Sequence, residues 1–193
     1  RTKRSGNTYF AMRHGEAEQN TLGIVSIDEQ EQYGLTDAGK LQVEQASEGL
    51  KTHNVTRIFA SPVRRTKETA RQIAVSLSIP EEEIIFDDRL RELNFGELEG
   101  RPHAEMTAYR ASVITKYGDP LPGGESWLDA KKRIGAFMYE VENLYKNETI
   151  LIITHGVGLE TLSALIVGAG DGDSKKILDE SDFKYADPLL FDF

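Results

Sequence analysis

Cysteine is absent from the 193 residues of this chain, which excludes disulfide bonds, thiolate catalysis and metal sites built on cysteine. No apolar run approaches the length of a membrane span, and the first six residues lack the apolar centre of a signal peptide. Basic residues are in the minority, with 23 Lys and Arg against 32 Asp and Glu and a formal net charge of −9. The sequence therefore predicts a cytoplasmic protein that binds neither nucleic acid nor a membrane.

A linker is also missing, because no stretch rich in Pro, Gly or Ser divides the chain. The length of the chain suits one well-buried domain. Apolar strand patterns alternate with helical patterns, and strands are predicted over residues 9–12, 57–60, 84–86 and 149–154. This alternation predicts an α/β fold, a three-layer α/β/α sandwich around a mainly parallel sheet. The tail, residues 183–193, predicts a further strand that Pro188 confines to the sheet edge.

Local signals place several helices between these strands. Thr36 is predicted to cap a helix whose residues Leu41, Ala46 and Leu50 face the sheet. Pro62 is predicted to lie in the first turn of the next helix, where its missing N–H costs nothing. Further helices are predicted over residues 103–117 and 158–167, and residues 16–34 are predicted to be irregular.

Two of the predicted strands end in the same pair of residues. The first runs through Arg13 into His14-Gly15, and the strand at 149–154 is followed by His155-Gly156. A third strand, at 57–60, leads into a helix that carries Arg64 and Arg65. Because parallel strands end at a common edge of the sheet, two histidines and two or three arginines are predicted to converge there.

These side chains suit chemistry at phosphorus. An imidazole attacks phosphorus only when it is neutral, and neighbouring cations such as Arg13 and Arg65 disfavour the protonated form of His14. Guanidinium groups also match phosphate oxygens. An alkoxide leaving group needs a proton, which a carboxylic acid with a raised pKa can supply. Glu92, in a charged loop after a strand, is the candidate, although the chain holds 32 acidic residues and position alone does not single it out.

Six segments, in order, resemble the motifs of the histidine phosphatase superfamily, the phosphoglycerate mutase-like group. They are Arg13-His14-Gly15-Glu16 with Asn20, Leu35-Thr36-Asp37-Ala38-Gly39, the segment from Ser61-Pro62 to Ala70, the segment from Leu90 to Gly100, Pro122-Gly123-Gly124-Glu125-Ser126, and Thr154-His155-Gly156. Arg-His-Gly alone is a weak signal, whereas six matches in order are specific. The resemblance implies a phosphoglycerate mutase-like α/β fold.

The resemblance also implies a catalytic mechanism through a phosphohistidine. His14 attacks the phosphorus, while Arg13, Arg65 and His155 hold the transferring phosphoryl group. Glu92 protonates the leaving oxygen, and water then cleaves the phosphohistidine.

Two further residues are implied in substrate binding, Asn20 near the bound phosphate and Gly156 beside the second histidine. No metal and no cofactor are implied. The expected enzyme is a metal-independent phosphomonoesterase of the histidine acid phosphatase type, and its partner is a small phosphorylated substrate.

Two departures from the glycolytic mutases favour the phosphatase branch. The loop at 21–34 is acidic and lacks their basic, tryptophan-containing pattern, and residues 100–121 form a short segment where mutases carry a larger insertion. A phosphoglycerate mutase remains the alternative enzyme. A non-catalytic, phosphate-binding regulatory module is the third hypothesis, and its usual sign would be the loss of His14, Arg65 or His155, which are all present.

The motifs run from residue 13 to about residue 160, and residues 170–193 carry no family signal. Residues 1–193 are therefore predicted to form a single histidine phosphatase domain. Because the chain starts without methionine and ends at Asp192-Phe193, we also consider that this domain is excised from a larger host polypeptide.

Overall fold

The computed structural model describes residues 5–30, 32–170, 172–174, 176 and 183–191. Its strands and helices are β1 (Thr8–Arg13), α1 (Glu18–Thr21), α2 (Asp37–Leu50), β2 (Arg57–Ala60), α3 (Arg64–Leu77), β3 (Ile84–Phe86), α4 (His103–Val113), α5 (Trp127–Leu144), β4 (Thr149–Thr154), α6 (Gly156–Ile166) and β5 (Leu189–Phe191). Among these helices none combines the length and the apolar character that crossing a bilayer requires.

The five strands form one sheet in the order β3-β2-β4-β1-β5. β1, β2, β3 and β4 pair in parallel, and β5 runs antiparallel to β1. The mainly parallel sheet and the edge strand in the tail are confirmed, with Pro188 directly before β5. The two strands that end in His-Gly, β1 and β4, are direct neighbours in this order, which decides the geometry of the site.

Alternate side chains of the strands face opposite helical layers. Phe10 and Met12 of β1 pack in a cluster with residues of α2 and α3. Tyr9 and Ala11 point the other way, into a cluster with residues of α5 and α6. The predicted three-layer α/β/α sandwich is therefore confirmed. A third apolar cluster joins α4, the start of α5 and the loops beyond the strand ends, and it walls the cavity described below.

On α2, Ala46 and Leu50 are buried as predicted, and the position of Leu41 was predicted wrongly. Leu41 of α2 is 59% exposed, while Val43 and Leu50 are buried. The Thr36 hydroxyl accepts a hydrogen bond from the Gly39 N–H and begins the helix as predicted. That start turns Gly39, Val43 and Leu50 toward the sheet, and Leu41, two residues after Gly39, falls on the opposite side.

The helix after β2 begins later than predicted. Pro62 lies outside α3, because Val63 is still extended and is the N-cap of the helix. The Thr66 hydroxyl donates to the carbonyl oxygens of Ser61 and Val63 and holds this entry in place.

The stretch predicted to be irregular contains α1, a single helical turn. The Asn20 Oδ1 accepts a hydrogen bond from the Ala17 N–H at 3.0 Å and caps this turn. The side-chain oxygen of a predicted substrate-binding residue is therefore already bonded to the backbone.

Two glycines let the segment after β1 cross the start of α2. A Cβ added at Gly39 would lie 1.9 Å from the Glu16 carbonyl oxygen, and one added at Gly15 would lie 2.6 Å from the Gly39 carbonyl oxygen. Neither contact is possible without a backbone shift. The glycine of the Arg-His-Gly motif is therefore required by this crossing.

Substituting Gly39→Ala is expected to lower the free energy of unfolding by about 1–3 kcal/mol, because the new methyl group must displace backbone. Gly49→Ala in the same helix is the matched control, since nothing lies within 4 Å of a Cβ there. This control is expected to raise the free energy by about 0.5–1 kcal/mol. Urea unfolding measures both, and equal effects would contradict the crossing.

Candidate active site

The carboxyl ends of β1 and β4 bring the two histidines together. Arg13 pairs with Thr154 in the parallel register, and the His14 N–H donates to the Thr154 carbonyl oxygen at 3.1 Å. The His14 and His155 ring centroids are 5.3 Å apart. The first turn of α3, which follows the neighbouring strand β2, adds Arg65. The convergence predicted from the strand ends is present.

The contacts of His14 define its tautomer. Its Nδ1 lies 2.7 Å from the Gly15 carbonyl oxygen, which can only accept, so Nδ1 carries the proton. Its Nε2 accepts a hydrogen bond from the Nε–H of Arg65 at 3.2 Å. Burial, followed by the charges of Arg65 and Arg13, holds the pKa of His14 well below its usual range. His14 is thus neutral, with a lone pair on Nε2.

Arg65 is fully buried, whereas Arg64 is exposed and pairs with Glu68. The Arg65 Nη2 donates to the Ser26 carbonyl oxygen at 3.0 Å, and its Nη1 lies 3.6 Å from the buried Asp28 carboxylate. Burial lowers the pKa of Arg65 to about 10, so the group stays charged at neutral pH. The predicted choice of Arg65 over its neighbour agrees with this placement.

His155 lies behind Arg65. Its Nδ1 accepts from the Arg65 Nη2 at 3.1 Å, so its Nε2 carries the proton and donates to the Ser61 hydroxyl at 2.8 Å. Burial and the Arg65 charge hold the pKa of His155 well below its usual range. Both ring nitrogens of His155 are therefore occupied by protein groups, and the ring orients Arg65.

Several N–H donors beside His14 have no hydrogen-bond acceptor among the described residues. The Arg13 Nε and the Arg65 Nη1 are buried without a hydrogen bond to any described residue. The Arg13 guanidinium stacks on the Tyr185 ring, with 4.2 Å between Cζ and the ring centroid. α6 begins at Gly156, two residues earlier than predicted, so the first N–H groups of this helix also end at the site. Such a set of donors fits a tetrahedral anion.

A cavity of about 230 Å³ opens from His14 and is bordered by Glu92, Asn20 and Gly156. The Glu92 Oε1 accepts a hydrogen bond from the Leu93 N–H at 2.9 Å. A Cβ added at Gly156 would lie 3.9 Å from the Glu92 Oε2. Every predicted site residue except His155, which lies behind Arg65, therefore borders this cavity.

The Pro-Gly-Gly-Glu-Ser motif holds the Glu92 loop. Glu125 donates its backbone N–H to the Asn94 carbonyl oxygen at 2.9 Å, and its carboxylate accepts from the Asn94 N–H at 3.0 Å. Arg133 of α5 binds the Glu125 carboxylate and donates to the Glu92 carbonyl oxygen at 3.1 Å. Through these hydrogen bonds, the motif holds the backbone segment that carries the Glu92 carboxylate.

The sequence reasoning missed four residues at the site. Asp28 and Ser61 fix Arg65 and His155, whereas Gln19 and Glu160 line the cavity. Only Glu160 had a usable signal, since it lies one helical turn after Gly156. Asp28 is in a loop whose conformation has no periodic pattern.

The lowered pKa of His14 predicts a pH dependence of stability. Unfolded histidine takes up a proton near pH 6.5, whereas folded His14 does not, so the free energy of unfolding falls as the pH drops below about 6.5. From about pH 7.5 to about pH 5.5, His14 is expected to cost roughly 1 kcal/mol. Over the same pH range, the free energy of unfolding of a His14→Asn variant should fall by roughly 1 kcal/mol less, as measured by urea titration. Equal losses in the two proteins would contradict a neutral, buried His14.

Comparison with known proteins places this site in a family. The model of the histidine phosphatase superfamily (branch 1) matches residues 9–178, which extends past the last recognised motif. A relative in Enterobacter sp. (strain 638), named probable phosphoglycerate mutase GpmB, is 33% identical over 164 residues, covering 82% of this chain and 74% of that protein.

Two solved structures share the fold. Mycobacterial glucosyl-3-phosphoglycerate phosphatase, in complex with VO3, superposes with a TM-score of 0.80 at 20% identity and covers 97% of this chain and 90% of that one. Phosphoserine phosphatase of Entamoeba histolytica, in complex with 3-phosphoglyceric acid, gives a TM-score of 0.80 at 21% identity, with 97% and 91% covered. With its phosphoglycerate mutase-like fold and the family match over residues 9–178, this chain belongs to the histidine phosphatase superfamily.

Proposed function

We propose that the protein is a phosphomonoester hydrolase that works through a phosphohistidine on His14. One observation carries the proposal. The lone pair of the His14 Nε2 lies beside Arg65, and buried guanidinium N–H groups of Arg13 and Arg65 have no acceptor among the described residues. A neutral nucleophile next to unoccupied anion donors suits phosphoryl transfer.

In the first half of the reaction, the Arg65 Nε–H shifts its hydrogen bond from the His14 Nε2 to a phosphoryl oxygen, and the Nε2 forms a bond to phosphorus as the bond to the leaving oxygen breaks. The proton stays on the His14 Nδ1 and keeps its hydrogen bond to the Gly15 carbonyl oxygen, which stabilises the charge that the ring acquires. Arg13 and Arg65 stabilise the charge on the equatorial oxygens. Glu92 gives its proton to the leaving oxygen, so that an alcohol departs.

In the second half, the Glu92 carboxylate takes a proton from water as the water oxygen attacks phosphorus. The bond from phosphorus to the His14 Nε2 breaks, inorganic phosphate leaves, and Glu92 is protonated again. Each residue returns to its starting state, and the mechanism uses no metal.

The remaining site residues support the phosphoryl group less directly. His155 acts through Arg65, to which it is bonded; a direct contact with the phosphoryl group stays a prediction. Asn20 contributes its side-chain NH₂, since its Oδ1 caps α1. Gly156 offers its backbone N–H at the start of α6.

The second candidate function is that of a phosphoglycerate mutase, which the name of the Enterobacter relative favours. A mutase transfers the phosphoryl group to a second hydroxyl instead of water and depends on priming by a bisphosphate. The acidic loop and the short 100–121 segment favour hydrolysis. A small phosphorylated substrate fits either enzyme.

We expect the protein to hydrolyse p-nitrophenyl phosphate in EDTA, without added 2,3-bisphosphoglycerate. Steady-state absorbance at several substrate concentrations measures this. Interconversion of phosphoglycerates that starts only after priming would favour the mutase. Absence of both activities, with tight binding of inorganic phosphate, would favour the regulatory module.

A further inference from the structure

A buried carboxylate that the proposed mechanism does not use lies in the wall of the same cavity. Glu160 of α6 borders the cavity together with Trp127 and Met106. Its Oε2 is buried without a well-aligned hydrogen bond to any described residue, and the indole N–H of Trp127 lies near enough to Glu160 to lower its pKa. Since buried polar atoms are nearly always bonded in folded proteins, an exception inside a cavity indicates an atom that a ligand completes.

None of the described residues forms a salt bridge with Glu160. Burial raises the pKa of Glu160 to about 8, and the charge of Glu92 adds to the rise. Arg110, Trp127 and Arg13 oppose the rise without overcoming it. The indole N–H of Trp127 is itself buried without a well-aligned hydrogen bond within the described part of the chain. At neutral pH, Glu160 is therefore mostly protonated.

Glu160 borders the cavity near Glu92, the proposed proton donor to the leaving oxygen. The phosphoryl end of the cavity is fixed by His14 and the guanidinium groups beside it. The remaining wall combines apolar side chains with polar ones. The apolar side chains include Ile24, Val25, Phe95, Met106 and Val157, and the polar ones include His103, Thr107 and Arg110. The cavity volume of about 230 Å³ suits a small alcohol.

We propose that Glu160 accepts a hydrogen bond from the leaving alcohol, so that the substrate is a small phosphomonoester carrying a second O–H or N–H donor. The inference rests on the proposed function, because the phosphoryl group at His14 orients the alcohol toward Glu160. A site built in this way selects against an alkyl phosphate of the same size, which leaves the buried oxygen unpaired.

Binding of three phosphonates of equal length tests the inference independently of turnover. The probes are 3-hydroxypropylphosphonate, 3-aminopropylphosphonate and butylphosphonate, each titrated by calorimetry. We expect at least one of the two donor ligands to bind about tenfold tighter than butylphosphonate, or more. An amine ligand will release a proton from Glu160 and bind more tightly as the pH rises toward about 9, whereas a hydroxyl ligand will show no proton release. This difference identifies the donor.

Two variants separate a specific contact from a structural role. Glu160→Leu is expected to remove the preference, so that butylphosphonate binds at least as tightly as the donors. Glu160→Gln keeps an oxygen acceptor, so it is expected to retain the hydroxyl ligand and lose the amine. Glu44→Leu, at an exposed position of α2 away from the cavity, is the matched control for charge and size. If Glu160→Leu does not fold, Glu160→Gln decides.

Equal binding of the three phosphonates to the unaltered protein would overturn the inference, and so would a preference that survives in folded Glu160→Leu. Failure of the proposed function gives a different result. In that case no phosphomonoester is hydrolysed, even when a donor preference is measured. If inorganic phosphate and all three phosphonates also fail to bind, the inference falls with the function on which it rests.

Discussion

Replacing His14 by alanine is expected to reduce kcat/KM for p-nitrophenyl phosphate by on the order of 10⁴-fold or more, because the variant has no nucleophile to replace the Nε2 lone pair. Arg13 and Arg65 remain in the variant. Without the imidazole, the Arg65 Nε–H loses its acceptor and becomes free to bind an anion. Binding of inorganic phosphate should therefore persist. Steady-state kinetics and calorimetry on the same preparation measure the two effects.

His53→Ala is the control for this substitution. His53 is an exposed histidine whose ring stacks on Phe10, with centroids 4.7 Å apart, and it does not border the cavity. We expect its kcat/KM to stay within about twofold of that of the unaltered protein. If His14→Ala is folded by circular dichroism and retains hydrolysis, His14 is not the nucleophile.

Glu92→Gln is expected to discriminate between substrates by their leaving groups. For an alkyl phosphate, whose alkoxide needs a proton, kcat/KM should fall by about 10²–10⁴-fold. For p-nitrophenyl phosphate it should fall far less, because nitrophenolate departs without protonation. The variant keeps the shape of the side chain and an oxygen that can accept the Leu93 N–H, so the loop should stay in place.

Glu97→Gln supplies the matched control, since Glu97 is exposed in the same loop. It should leave the ratio of the two kcat/KM values unchanged. Equal losses for alkyl and nitrophenyl substrates in Glu92→Gln would mean that Glu92 has a structural role. In that case another acid of the cavity, with Glu160 the first to test, would supply the proton.

The sequence predicted the layers and the meeting of the histidines because both depend on regular structure. Alternation of strands and helices implies a parallel sheet, and the ends of parallel strands share an edge. His14 and His155 follow such ends directly, so no loop conformation enters their placement. The choice of Arg65 over Arg64 came from the resemblance, and the structure explains it, since only Arg65 turns inward at the start of α3.

The remaining features depend on loops and on contacts between distant segments. Asp28 reaches Arg65 through a loop in which its own φ is +57°. The hydrogen bonds that direct His155 toward Arg65 and Ser61 follow from side-chain positions, which spacing in the sequence does not encode. Leu41 was misassigned because an apolar residue near the right spacing outweighed the helix phase set by Thr36.

The phosphorylated intermediate itself is the most direct test of the account. In Glu92→Gln, the first step with p-nitrophenyl phosphate stays accessible, whereas the second step lacks the carboxylate that activates water. Quenching this reaction in base within its first turnovers and mapping the peptides by mass spectrometry should therefore find a phosphoryl group on His14. A phosphoryl group on a serine or threonine, or continued hydrolysis with unmodified His14 throughout the first turnovers, would contradict the mechanism.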